Sequence, residues 1–209
     1  MGNVKPGWEG RFFEDFEVGD IYRCRYGRTV TEADNIQFTL LTCNTNQIHF
    51  NRDYGARTEW GQPLVNSVLT LAIVVGMGVA DISENGFALG WDEVTLPHPL
   101  FNGDTLYSES EVLEVRESRS RPQQGVVKVL TRGYNQHGQA VIEFRRSVMV
   151  WKRAFAPGKE VFPTPCSPTR QILDLSRYGS GIVAIRDWRR AFRPSALNGS
   201  SLVLRNESD

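Results

Sequence analysis

The spacing of apolar positions changes twice along this chain, and each change marks a different kind of element. Near the start, the turn Val18-Gly19-Asp20 leads into Tyr22-Arg23-Cys24-Arg25-Tyr26, which predicts a first strand ending near Thr29-Val30. Thr31-Glu32-Ala33-Asp34 then has the form of a capping box. The Thr31 hydroxyl can accept from the amide three residues on, and the Asp34 carboxylate can reach back. A short helix should follow, with Ala33, Ile36, Leu40 and Leu41 on one side. Its polar continuation, Cys43-Asn44-Thr45-Asn46-Gln47, reads as a loop, as does the stretch from Tyr54 to Pro63. Leu64 to Ala80 is apolar nearly all round and predicts a helix buried on most sides, capped by Asn66 or Ser67.

From Ala88 onward the period becomes that of strands. Leu89–Leu96, Asp104–Leu113, Val126–Arg132 and Ala140–Trp151 fit, and Asn135-Gln136-His137-Gly138 is a hairpin signal between the last two. Long antiparallel strands with one buried helix predict an α+β fold, an antiparallel curved sheet wrapped around a long central helix. A generic α+β domain is the alternative. After Lys152 the chain is broken by Pro157, Pro163, Pro165, Pro168, Gly179 and Gly181. This divides it into a domain over 1–153 and a partly irregular C-terminal extension over 154–209. Within the extension, Arg186 to Arg193 is either a short basic helix that meets an anionic group or a solvated face.

Composition narrows the classes. With 209 residues, 40% hydrophobic, the chain can bury a core of its own. Lys+Arg and Asp+Glu both number 24, so no long-range field gathers a polyanion, which argues against nucleic acid as a partner. Cys24, Cys43 and Cys166 are odd in number and far apart, matching neither a disulfide framework nor a metal-ligand pair. The N-terminal residues lack the apolar core of a signal peptide, and the run Val68–Ala80 is too short to cross a bilayer. The expectation is a cytoplasmic protein with no membrane contact and no metal.

Candidate chemistry concentrates between residues 44 and 67. His49 is the best candidate base, because imidazole titrates near neutral pH. Its neighbours Asn44, Asn46 and Gln47 offer hydrogen bonds without adding charge. Backbone amides around Ser67 are candidate oxyanion donors, since unsatisfied N–H groups and the helix dipole converge at a helix start. A lone loop histidine is also compatible with a structural role. Cys43 reads as a small buried residue, His98 as held in a turn between Pro97 and Pro99, and His137 as exposed at a hairpin tip.

Taken together, Thr31–Asp34, Leu41–Asn51, Gly61–Ser67 and Pro97–Asp104 resemble the MaoC-like (R)-specific enoyl-CoA hydratases over about residues 12–152. The resemblance implies a hot-dog fold, an acyl-CoA thioester substrate with CoA as part of the substrate and no separate cofactor, and a homodimer or higher homo-oligomer. It places His49 on the family's catalytic histidine and Asn44 on its catalytic aspartate. An amide cannot take up a proton, so Asn44 could only orient water or His49. Asn66-Ser67 falls on the family's His-Gly, and Gln47 on its proline.

The block Leu41–Asn51, with Gly90–Val94 and Arg116–Pro122, resembles the branch that holds mesaconyl-CoA (2-methylfumaryl-CoA) and itaconyl-CoA hydratases. Those substrates carry a free carboxylate beside the alkene. An aspartate at position 44 would repel it, and an asparagine can hydrogen-bond it. Arg116, Arg119 and Arg121 then pair with CoA phosphates or with that carboxylate, or are simply solvated loop charges; Arg57 is a second candidate for the carboxylate. Asn46, Gln47 and Asn66 complete the expected substrate-binding set. The expectation is a hydro-lyase adding water reversibly to an enoyl-CoA. The alternatives are a non-catalytic acyl-CoA binding subunit and a hot-dog acyl-CoA thioesterase. The latter leans on a carboxylate near the helix start, and Pro63–Leu71 has none.

Overall fold

A computed structural model describes residue 3 and residues 5–159. The chain divides into units Met1–Gly158 and Lys159–Asp209, and the first holds the sheet and its helices. Most of the predicted extension, including the basic run 186–193 and Cys166, lies outside the described residues.

Alternating sequence builds the sheet. β4 (Thr105–Glu117), β5 (Gln124–Tyr134) and β6 (Ala140–Trp151) form its centre. β1 (Ile21–Arg23) and the two-residue β2 (Arg28–Thr29) pair with β4, and β3 (Gly86–Thr95) closes the far edge beyond β6. Every pairing is antiparallel and the order is β1-β4-β5-β6-β3. Along β6, Ile142, Phe144, Val148 and Val150 are buried while Glu143, Arg145 and Ser147 between them are only partly so, the pattern of a sheet with one packed face. Polar groups pair between the strands on the other face. Arg132 donates to Glu143 at 3.0 Å and Glu111 at 3.1 Å, and Tyr134 donates to Glu109 at 3.1 Å.

Three helices accompany the sheet: α1 (Glu32–Leu41), the short α2 (Arg52–Ala56) and α3 (Ser67–Met77), the last followed by a π-turn over Val79–Ser83. Val74 and Met77 of α3 pack with Leu106, Ile142 and Phe144 in one cluster. Gly133 permits this approach, since a Cβ there would meet Val74 and Ile142 at 2.7 Å. A second cluster gathers Phe13, Phe16, Ile82, Val112, Val127, Val129, Val148 and Val150.

The capping box forms as read: the Asp34 amide donates to the Thr31 hydroxyl at 3.2 Å, and the Thr31 amide to the Asp34 carboxylate at 2.8 Å. Arg28 grips the same carboxylate through two bonds and holds it far below the usual carboxylate range.

Four local expectations change. In α1 it is Asn35 and Thr39 that are buried, whereas Leu41 is 82% exposed, because the helix docks through the hydrogen bonds of Asn35 with Phe38 packing beside them. The helix read from Leu64 begins at Ser67: Val65 donates to the Leu100 carbonyl at 2.8 Å and Leu64 bridges Phe101, which holds both residues extended. α3 is also open on one side, with Val68 57% exposed. Cys43 is exposed, at a left-handed backbone position (φ 54°) ending the turn after α1. No helix among the described residues is long and apolar enough to cross a membrane.

One side chain runs against the core. Arg146 shares the inward parity of Phe144 and Val148 and is 1% exposed, directly beneath Gly78 at the end of α3. Its Nε and one terminal nitrogen have no partner among the described residues, and burial pushes its pKa down to about 10. A desolvated guanidinium without a partner costs more than an apolar side chain of similar length. Arg146→Met should therefore raise unfolding stability by about 1 kcal/mol or more, read as a higher urea midpoint. A lower midpoint would show that the guanidinium contributes to stability.

Candidate active site

The loop after α1 is built by its own polar side chains. The Asn44 amide donates to the Thr39 carbonyl at 3.0 Å, and its Oδ1 accepts from the Asn46 amide at 3.0 Å. Asn46 in turn caps the single 3-10 turn Gln47–His49 by accepting from the Ile48 amide. Gln47 is held by Asn51, which donates to its Oε1 at 2.6 Å and itself caps α2. These bonds bring His49 to the end of the turn, half-buried.

There the ring meets the extended segment before α3. His49 Nδ1 lies 3.0 Å from the Leu64 carbonyl. A carbonyl only accepts, so Nδ1 carries the proton and Nε2 keeps its lone pair. The Leu64 amide donates to Ile48 at 3.1 Å, locking loop and segment side by side.

The side chain of Asn35, wholly buried, fixes both. Its Nδ2 donates to the carbonyls of His49 at 2.9 Å and Leu64 at 2.8 Å, with Asn102 Oδ1 at 3.2 Å, and its Oδ1 accepts from the Asn66 amide at 2.9 Å. Asn66 is the N-cap of α3. Its Oδ1 accepts from the Val68 amide at 3.0 Å and its Nδ2 donates to Thr39 at 3.2 Å. With the amides of Asn66 and Val68 engaged, the Ser67 N–H is a first-turn donor left without a partner among the described residues, at the positive end of the helix.

His49 and Ser67 line one cavity of about 300 Å³, with Trp60, Leu64, Val65, Thr70, the segment Leu96–Leu100, and Val141. The lining is mostly apolar; its titratable members are His49 and His98. A volume at the low end for small-molecule sites suits the reacting end of a substrate, not a whole acyl-CoA.

Of the residues singled out from sequence, His49 and Ser67 are brought to this cavity. Asn44, Asn46, Gln47 and Asn66 stand behind it as the bonds that shape the loop and cap the helix. Arg57 ends α2, largely exposed and paired with Asp53 at 2.7 Å. Arg116 closes against Glu114 at 3.1 Å near the end of β4, while Arg119 and Arg121 follow in the β4–β5 turn. Val141 lines the cavity, and the turn lies by Trp151, which pairs with Gln124. Ten residues of strand separate the two ends, about 33 Å, so within one unit these arginines are remote from His49. Sequence reasoning missed His98, set aside for its flanking prolines, and Asn35, hidden in the interior of a helix whose apolar residues pointed elsewhere.

Comparison with known proteins places the arrangement. A family model described as mesaconyl-CoA hydratase matches residues 4–160, and the chain belongs to that family. It is 36% identical over 145 residues to the mesaconyl-CoA hydratase of Cereibacter sphaeroides, covering 69% of this chain and 42% of that protein. It is 32% identical over 169 residues to the β-methylmalyl-CoA dehydratase of Chloroflexus aurantiacus, covering 80% and 48%. The chain thus spans less than half the length of these curated relatives. Among solved structures, the MaoC-like dehydratase from Rhodospirillum rubrum superposes with a TM-score of 0.62 at 26% identity, covering 69% of this chain and 99% of that one. A conserved hypothetical protein of Mycobacterium tuberculosis with a double hotdog fold gives 0.64 at 20% identity, covering 84% and 52%. The fold is the hot-dog.

Because Asn35 satisfies two buried carbonyls and one amide at once, Asn35→Ala should cost about 3 kcal/mol of stability and loosen loop and helix start together. Urea unfolding gives the first number. A loss below about 1 kcal/mol would mean that the network does not hold the site.

Proposed function

We propose that this chain is a hydro-lyase that adds water reversibly across the double bond of an enoyl-CoA. The observation that carries the reading is the pairing, in one apolar cavity, of a histidine whose Nε2 is free with the unpartnered amide of Ser67 at the start of α3. The thioester carbonyl oxygen accepts from the Ser67 N–H, where the helix dipole favours the negative charge of an enolate. His49 Nε2 takes a proton from water as the oxygen bonds to the β-carbon, and a proton is delivered to the α-carbon. Dehydration is the same path reversed.

Mesaconyl-CoA is the favoured substrate, with itaconyl-CoA the neighbouring possibility. The family match and the β-methylmalyl-CoA relative support a branched dicarboxylic acyl group. The cavity supports it too, since among the described residues no carboxylate lines it to repel a second one on the substrate. We also assign a second hot-dog unit as partner. Edge strand β3 leaves Phe87, Leu89, Trp91 and Val94 exposed along its length, on either side of its bulges, more apolar surface than a solvated edge carries. Such a partner would supply CoA contacts that one unit lacks near His49. The location we assign is the cytoplasm, in keeping with Cys24 and Cys43 as free thiols.

The test follows loss of enoyl-thioester absorbance when the full chain meets mesaconyl-CoA, itaconyl-CoA and crotonyl-CoA, with His49→Ala alongside. The wild-type chain should act fastest on a dicarboxylic substrate, and His49→Ala should lose about 10²–10⁴ in kcat/KM. Turnover that survives in His49→Ala, or release of free thiol in place of hydration, would overturn the reading.

A further inference from the structure

We propose that His98 is the second acid–base residue of this reaction, the group that carries the proton of the α-carbon; the role rests on the hydratase reading above. The cavity that holds His49 is also lined by Leu96-Pro97-His98-Pro99-Leu100. This segment is tied to the same backbone that orients His49. The Val65 amide donates to the Leu100 carbonyl at 2.8 Å, and Leu64, whose carbonyl meets His49, bridges Phe101. The extended segment before α3 thus links the His49 loop to the chain that carries His98.

Their chemistry matches as well. His98 Nδ1 lies 2.9 Å from the Ala140 carbonyl. That oxygen can only accept, so Nδ1 bears a proton and Nε2 is the nitrogen left to react, as in His49. The two prolines on either side restrict the backbone and hold the ring where it stands. Several charged side chains of the elements around the segment are engaged elsewhere, and Arg145 of β6 pairs with Glu93 of β3. Glu143 of β6 accepts from Arg132 at 3.0 Å, Asp104 accepts from the Phe101 amide and from Gln136, and Arg57 is paired with Asp53. Among the described residues the lining has no Asp, Glu, Lys or Arg.

Hydration needs a base and an acid in the same turnover. Asn44 can be neither, because an amide side chain does not titrate, and its Oδ1 is already used by the Asn46 amide. Two imidazoles divide the work. Neutral His49 takes a proton from water as the O–H bond breaks and the oxygen bonds to the β-carbon. The π pair moves through the α-carbon onto the thioester oxygen. It returns to form the α-C–H bond with the proton that leaves Nε2 of protonated His98. His49 ends protonated and His98 neutral, and exchange with bulk water resets both, His98 being exposed. In dehydration the two roles exchange.

The experiment is the pH profile of kcat/KM for the full chain and for His98→Asn, with mesaconyl-CoA and crotonyl-CoA. Asparagine keeps a donor where Nδ1 stands, so the bond to Ala140 and the thermal midpoint should survive while Nε2 is lost. The wild-type profile should be bell-shaped, one histidine being needed neutral and the other protonated. His98→Asn should lose about 100-fold or more in kcat on both substrates, and its profile should lose the alkaline limb and keep the acid one. An unchanged rate and profile in His98→Asn would overturn the assignment. So would a defect confined to KM for mesaconyl-CoA, which would make His98 a carboxylate contact. Absence of turnover in the wild-type chain with both substrates would sink the hydratase reading itself, and this role with it.

Discussion

A single buried amide orders the working end of this molecule. Asn35 directs its donors to the carbonyls of His49 and Leu64, with Asn102 sharing at a longer distance, and its acceptor to the amide of Asn66. Four chain segments meet at that side chain: α1, the histidine loop, the strand-like stretch before α3, and the segment after Pro97. Burial makes the arrangement stiff, because each bond lost there would leave a polar group unsolvated rather than rehydrated. The functional consequence is geometric. The Leu64 carbonyl that Asn35 holds is the one that selects the His49 tautomer, and the Asn66 amide that it accepts begins the helix whose next N–H faces the cavity.

The sheet and helix supply the rest by packing. Alternation along β4, β5 and β6 gives one apolar face, α3 lies on it through the space that Gly133 leaves, and the capped end of α3 brings Ser67 to the cavity that His49 lines. The same packing leaves surfaces unfinished. Among the described residues β3 has one neighbour, its apolar side chains are exposed, and α3 is open on one side. A family whose curated members are more than twice the length of the matched stretch is consistent with a second unit meeting those surfaces.

Much of this was legible in the residues. The Thr31–Asp34 capping box, the hairpin at Asn135–Gly138 and the bounds of β6 all follow from local rules that tertiary context did not override. The resemblance through His49 and Ser67 pointed to the cavity they share. What escaped did so for physical reasons. Leu64 and Val65 are apolar enough to read as helix, but long-range bonds to Phe101 and Leu100 hold them extended, and no local pattern reports such bonds. Asn35 was invisible because apolar periodicity assumes that the buried face of a helix is the greasy one, and α1 inverts this. His98 sits between prolines, which truly restrain it; restraint in a turn and exposure to a cavity are compatible, and only the fold shows where the turn lies.

The claim on which everything rests is that the Leu64 carbonyl sets His49 as a base with Nε2 free. Long-range ¹⁵N–¹H correlation spectra of the ¹⁵N-labelled chain, taken where His49 is neutral, read the tautomer directly. His49 in the wild-type chain should show a protonated Nδ1 and a pyridine-like Nε2. A protonated Nε2 in that state would contradict it, because the nitrogen facing the cavity would then have no lone pair with which to activate water.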